Sequence, residues 1–96
     1  MSTLESLRAR RADILAVATR RGARNVRVFG SVARGQERPD SDVDLLVDLE
    51  PGRSLFDLGG LLADLEELLE RRVDVVTTAG LRPRVRSDVL KSAMAL

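Results

Sequence analysis

Two aspartates stand two residues apart in Ser41-Asp42-Val43-Asp44-Leu45-Leu46-Val47. On a β-strand such a pair projects from one face, about 6.6 Å apart along the backbone, while Val43 and Leu45 bury on the other. Carboxylates that close repel unless a cation sits between them. Hydrated magnesium, an octahedral ion often held by one or two carboxylates plus substrate phosphates, is the natural occupant. A third acid, Asp74, interrupts the apolar run Val73-Asp74-Val75-Val76. Buried unpaired it would cost several kcal/mol, so it is expected to face the same acidic site. Three carboxylates on neighbouring strands can hold two metals about 3.5–4 Å apart for an in-line displacement at phosphorus. A one-residue slip of the Asp74 strand would turn that acid away and break the set.

Gly30-Ser31, directly after Val28-Phe29, supplies the complementary half. Glycine after a strand lets the backbone approach a ligand, and a serine opening the next turn offers hydroxyl and amide to a phosphate. Arg34 and Arg38 follow closely enough to neutralise a triphosphate. Singly, each feature is an ordinary turn, strand end or surface arginine. The ordered set is specific.

The elements that must position these residues are legible in the spacing. Ser2-Thr3-Leu4-Glu5 has the form of a capping box, and Leu4, Leu7, Ile14, Leu15 and Ala18 recur at helical spacing up to Gly22, which predicts one helix over residues 3–21. Asn25 to Phe29 reads as a strand with Val26 and Val28 on one face. Gly30 to Gly35 is a tight connection able to open a short helix at Ser31, and Gln36 to Ser41, with Pro39-Asp40, is a loop. Val43 to Leu49 is a second strand and Glu50-Pro51-Gly52 a turn. Ser54 with Asp57 starts a helix whose stripe runs through Leu58, Leu61, Leu62, Leu65, Leu68 and Leu69. Gly59-Gly60 costs that helix about 1 kcal/mol per glycine relative to alanine, so a close packing partner or a bend is expected there. Val73 to Thr77 is a third strand, and Leu81 to Ala95 a final helix with Pro83 in its first turn. The expected fold is α/β (α+β): a small mixed sheet of three to four strands covered by helices, in one domain over residues 1–96.

Composition narrows the chemistry further. The 96 residues contain neither histidine nor cysteine, which removes Ser-His-Asp and Cys-His catalysis, the usual zinc sites and disulfides. Two phenylalanines are the only aromatic residues, leaving no platform for stacking single-stranded bases. With 16 basic and 15 acidic residues the net charge is +1, so nucleic acid is not the expected partner. Met1 to Asp13 lacks a secretory signal, and Asp57, Asp64, Glu66 and Glu67 interrupt the richest apolar stretch, so no membrane span is expected and the location is read as cytoplasmic. The charge is nonetheless segregated. Residues 1–39 carry a net +6, residues 40–76 a net −8 and residues 77–96 a net +3. This describes an acidic, cation-binding centre between basic surfaces suited to phosphates or an acidic partner.

The motifs together resemble the nucleotidyltransferase superfamily with the DNA polymerase β-like fold, in its minimal (MNT) form. The family pattern of Gly-Ser, ten residues, then Asp-x-Asp matches Gly30-Ser31 and Asp42-Val43-Asp44 without a gap. Gly-Ser-x-Ala-Arg-Gly, Ser-Asp-x-Asp-Leu-Leu-Val and the later Val-Asp-Val-Val are also typical, and the likeness covers essentially the whole chain. It implies that Asp42, Asp44 and Asp74 are the catalytic, magnesium-binding acids, Asp74 helping to deprotonate the acceptor hydroxyl. It implies that Gly30, Ser31 and Arg34 bind the nucleotide, and that a nucleoside monophosphate passes from ATP to a hydroxyl with release of pyrophosphate. Chains of this size resemble the antitoxin of HEPN–MNT toxin–antitoxin systems, in which the MNT protein adenylylates a tyrosine of the HEPN ribonuclease. The implied partners are ATP and a HEPN-type toxin, with which the chain would form a hetero-oligomer through its basic N- and C-terminal segments. The chain has no tyrosine of its own to modify. The alternative is a binding module of the same fold that silences its partner by occlusion alone.

Overall fold

The computed structural model describes residues 2–36, 38 and 40–96; Pro39 and Glu37, in the predicted loop, and Met1 lie outside the described residues. Among the described residues nine elements follow one another: α1 Thr3–Ala9, α2 Arg11–Arg20, β1 Ala23–Phe29, α3 Gly30–Arg34, β2 Val43–Leu49, α4 Leu55–Leu69, β3 Val73–Thr77, α5 Pro83–Ser92 and β4 Met94–Ala95. The strands form a mixed sheet in the order β3-β2-β1-β4, with β1 antiparallel to β2 and β4, and β2 parallel to β3. The parallel pair is possible because α4 carries the chain back across the sheet between them.

Alternation along β2 divides the sheet into two faces. Val43, Leu45 and Val47 join Leu7, Ile14, Val17, Val26, Val28, Leu61, Leu65 and Val73 in the hydrophobic core, to which α2 and α4 contribute their apolar stripes. Leu46 is also completely buried but belongs to the opposite row, between Arg27 on β1 and Val76 on β3. Asp44 and Asp48 flank it in that row, so the polar face of the sheet has an apolar middle.

Local signals explain most boundaries. Ser54 and Asp57 form the expected capping box at the start of α4. The Glu50-Pro51-Gly52 turn closes with the Arg53 amide donating to the Glu50 carbonyl at 3.2 Å, and Gly52 at φ 87° supplies the left-handed residue it needs. Of the two glycines in α4 only Gly60 meets a packing partner, the Arg21 side chain, which continues to Asp64 at 2.9 Å.

Three expectations need correction. The first helix is two, broken at Arg10, whose guanidinium donates to the Leu68 carbonyl at 2.7 Å near the end of α4. The final helix stops at Ser92; Ala93 is extended, and Met94–Ala95 pair with Val28 and Arg27 as the edge strand β4. The first strand starts at Ala23 rather than Asn25 and carries a bulge. Asn25 takes φ 57° and the pairing with β2 skips between Arg24 and Arg27, which returns Ala23, Val26 and Val28 to the same core.

Candidate active site

The carboxylates lie at the corner where β1 ends and β2 and β3 begin. Asp44 lies opposite Phe29 on one side and in register with Asp74 on the other. Paired positions of neighbouring strands share a face, so the Asp44 and Asp74 side chains stand next to each other. Asp42 is one residue ahead of β2, on the same side by alternation. The strand register that the triad required is therefore present.

Gly30 completes this corner. Its φ is 72°, and a Cβ added there would collide with the Asp44 carboxylate. Glycine is required twice over: for the left-handed turn from strand into α3, and for the room that Asp44 occupies. Val32 anchors α3 in the core and Gly35, at φ 69°, ends it. Phe29 at the helix N-cap offers no side-chain acceptor, so the first amides of α3, with Ser31, open beside the acids. Arg34 is exposed and bonds Gln36 through Nε at 3.2 Å. Its charge reaches Asp44, whereas Arg38 stays in the loop with its amide on Ser41 Oγ at 2.8 Å.

The electrostatics single out Asp44. Burial raises its pKa above the ordinary carboxylate value, the charges of Asp74 and Asp42 raise it further, and Arg34 opposes them. Asp74 is exposed and Asp42 half-buried, with a long 3.8 Å contact to Arg72 Nε. Among the described residues no three carboxylates stand close enough together to hold a metal ion unaided. The donor set nevertheless fits a hard divalent cation: a desolvated carboxylate between two like charges, oxygen donors only, and an open side where phosphate oxygens can complete the shell. Such a site attracts a cation when a polyanionic ligand brings the remaining ligands.

Sequence reasoning did not find the residues that hold Asp42 in place. Arg71 donates to the Ser41 carbonyl at 2.8 Å and to Thr3 Oγ1 at 3.1 Å, and the Val43 amide donates to the Arg72 carbonyl at 3.0 Å. These partners are 30 and 68 residues apart in sequence for Arg71, so no local periodicity signals them.

Comparison with known proteins identifies the family and the fold. Residues 10–96 match the nucleotidyltransferase domain family, and the chain belongs to it. It is a minimal nucleotidyltransferase in fold: a solved structure described as a candidate minimal nucleotidyltransferase superposes with a TM-score of 0.88 at 55% identity, over 100% of this chain and 97% of that one. The protein adenylyltransferase MntA of Thermococcus cleftensis is 42% identical over 76% of this chain and 74% of its own length. A toxin–antitoxin structure with AMP-PNP shares the fold, with a TM-score of 0.75 at 19% identity over 88% of this chain and 69% of that one.

Proposed function

We propose that this nucleotidyltransferase is a magnesium-dependent protein adenylyltransferase that moves AMP from ATP to a tyrosine hydroxyl of a HEPN-type toxin in the cytoplasm, and so acts as its antitoxin. The observation that carries the reading is the in-register pair Asp44–Asp74 beside a glycine turn that leaves space for nothing larger. The relative named a protein adenylyltransferase and the toxin–antitoxin neighbour with an ATP analogue support the choice of nucleotide and of partner.

Asp42, Asp44 and Asp74 would hold the magnesium, which supplies charge neutralisation at the α-phosphate and the leaving pyrophosphate. Gly30 and Ser31 bind the terminal phosphates through the first turn of α3, and Arg34 adds a positive charge at their edge. The acceptor oxygen forms a bond to the α-phosphorus as the bond to the β-phosphate oxygen breaks. The hydroxyl proton passes to the carboxylate of Asp74, the exposed acid of the three. Pyrophosphate leaves.

The partner surface is assigned to α5. That helix has no buried residue, leaves Val85 and Leu90 exposed, and presents a groove lined by Pro83, Arg86, Ser87, Leu90 and Lys91. Its C-terminal end returns to the sheet beside Val28, two residues before Gly30, so a protein docked there borders the carboxylates. The same basic, apolar face favours a second reading, occlusion of the partner without chemistry.

Label transfer in host lysate separates the two. With α-labelled and γ-labelled ATP side by side, the reading expects one protein band labelled from the α position only, and not by Asp44→Asn. Asp44→Asn that still protects cells from the toxin, with no labelled band from wild type, would establish occlusion instead.

A further inference from the structure

Asp42 lies outside the regular part of β2, yet the main chain on both sides of it is tied to one dipeptide. Arg71 Nη2 donates to the Ser41 carbonyl at 2.8 Å, just before Asp42, and the Val43 amide, just after it, donates to the Arg72 carbonyl at 3.0 Å. Ser41 is fixed a second time, its Oγ accepting from the Arg38 amide at 2.8 Å while its own amide donates to the Arg38 carbonyl at 2.9 Å. Arg71 is in turn oriented by Thr3 in the first turn of α1, whose Oγ1 accepts from Nη1 at 3.1 Å. Its position follows from the end of α4: Glu70 takes the left-handed conformation, φ 53°, and so directs the next residue back toward the β2 entrance. One half-buried guanidinium therefore joins the N-terminal helix to the peptide that carries Asp42.

The neighbouring Arg72 makes a contact of a different kind. Its Nε is 3.8 Å from Asp42 Oδ1, and the two side chains are 85% and 44% exposed. An ion pair that long and that exposed holds little. It competes with any other cation for the Asp42 carboxylate without fixing where the carboxylate points.

From these contacts we infer that Arg71 is a positioning residue for Asp42, fixing the carboxylate beside Asp44 for cation and nucleotide, whereas Arg72 is a dispensable counter-ion. This rests on the proposed function, in which Asp42 is a metal ligand. Groups that orient metal ligands commonly change metal affinity by about 10- to 100-fold when removed. Two adjacent arginines should thus behave oppositely.

The test uses the full chain with Mn2+ as an electron-paramagnetic-resonance probe, titrated in the presence of AMP-PNP, together with amide hydrogen exchange of the metal-free protein. Arg71→Ala is expected to weaken Mn2+ binding by about tenfold or more and to speed exchange at the Val43 amide. Thr3→Ala, which removes only the α1 end, should lower Tm and leave at least part of the Mn2+ affinity. Arg72→Ala should bind Mn2+ as well as wild type or more tightly. Should Arg71→Ala not fold, Arg71→Lys reads the same effect, since one ammonium cannot span both acceptors, and a smaller loss is expected. Wild-type Mn2+ affinity in the folded Arg71 variant, or a greater loss in Arg72→Ala than in Arg71→Ala, overturns the assignment. Failure of the underlying reading looks different: the wild-type chain would then show no Mn2+ binding that Asp42→Asn removes.

Discussion

Asp44 and Asp48 occupy the same row of the same strand, four residues apart, on either side of the buried Leu46. Their surroundings are opposite. Asp48 accepts from Asn25 Nδ2 at 3.0 Å and from Arg27 Nη2 at 3.1 Å, and the Arg27 head also reaches Thr78 Oγ1 at 2.9 Å. The Asn25 hydrogen bond comes first among the causes that hold its carboxyl below the ordinary value, followed by Thr78 and the Arg27 charge. Asp44 has burial and two more acids around it, and its carboxyl is held above the ordinary value. One end of the strand satisfies its charge within the fold. The other leaves it for a ligand, which is how a binding site differs from a structural ion pair built from the same residue type.

Neutralising Asp44 should accordingly separate activity from stability. Asp44→Asn is expected to lower AMP transfer by about a thousandfold or more, since a metal's charge stabilisation in such reactions amounts to several kcal/mol. The same change removes a desolvated charge from beside Asp42 and Asp74. The metal-free variant should therefore melt higher than wild type at neutral pH. Calorimetry and label transfer on one preparation check both. A lower Tm would mean that Asp44 is a structural residue like Asp48.

Gly30→Ala attacks the same end through the backbone. The added Cβ meets both a left-handed φ of 72° and the Asp44 carboxylate. The strain alone costs about 1–2 kcal/mol. Displacing a reacting-site carboxylate by about an ångström can lower the rate about a hundredfold. We expect both losses in Gly30→Ala. Gly52→Ala, at a left-handed φ of 87° with open space around it, should show the stability loss only. Equal activity losses in the two would remove Gly30 from the site.

At the far end the expected effect is on stability alone. Asp48→Asn weakens the acceptor shared by Asn25 and Arg27 and should cost about 1 kcal/mol, a drop in Tm of roughly 4–8 °C. Transfer per folded molecule should be unchanged. An activity loss matching that of Asp44→Asn would abolish the distinction between the two ends.

How much of this could be read in advance depended on distance along the chain. Asp42, Asp44 and Gly30 lie within one local stretch; for Asp74 the cost of burying an unpaired acid gave the expected side, while the register against β2 came only from the strand pairing. The partners of Asp48 were not legible. They require Asn25 in a left-handed bulge, which only the register of β1 against β2 reveals. Leu46 reads as part of an apolar run, and its burial on the carboxylate face depends on packing contributed by other elements. β4 has two residues, too few for any period, and its Ala-Met-Ala surroundings continue the α5 pattern as easily as they end it. The break at Arg10 depends on the Leu68 carbonyl, far along the chain. What was local was visible.

The smallest effect, and the one that sets the two aspartates most directly against each other, is the dependence of stability on pH. Asp44 has a raised native pKa, so the stability that protonation gives it is fully present below the ordinary value of 3.8 and is lost as pH rises through the raised native value. Asp48 has a lowered native pKa, so its contribution is present above 3.8 and is lost as pH falls through the lowered native value. In melting curves between pH 3 and 7, the advantage of Asp44→Asn over wild type should be largest at pH 7 and shrink on acidification, beginning above 3.8. The advantage of wild type over Asp48→Asn should persist to lower pH and fade only below 3.8. Adding Mg2+ with AMP-PNP at pH 7 should raise the Tm of wild type and not that of Asp44→Asn, because only the charged Asp44 gains a counter-ion that the fold does not supply. Parallel pH profiles for the two variants would show that the row is electrostatically uniform, and the contrast between its ends would fail.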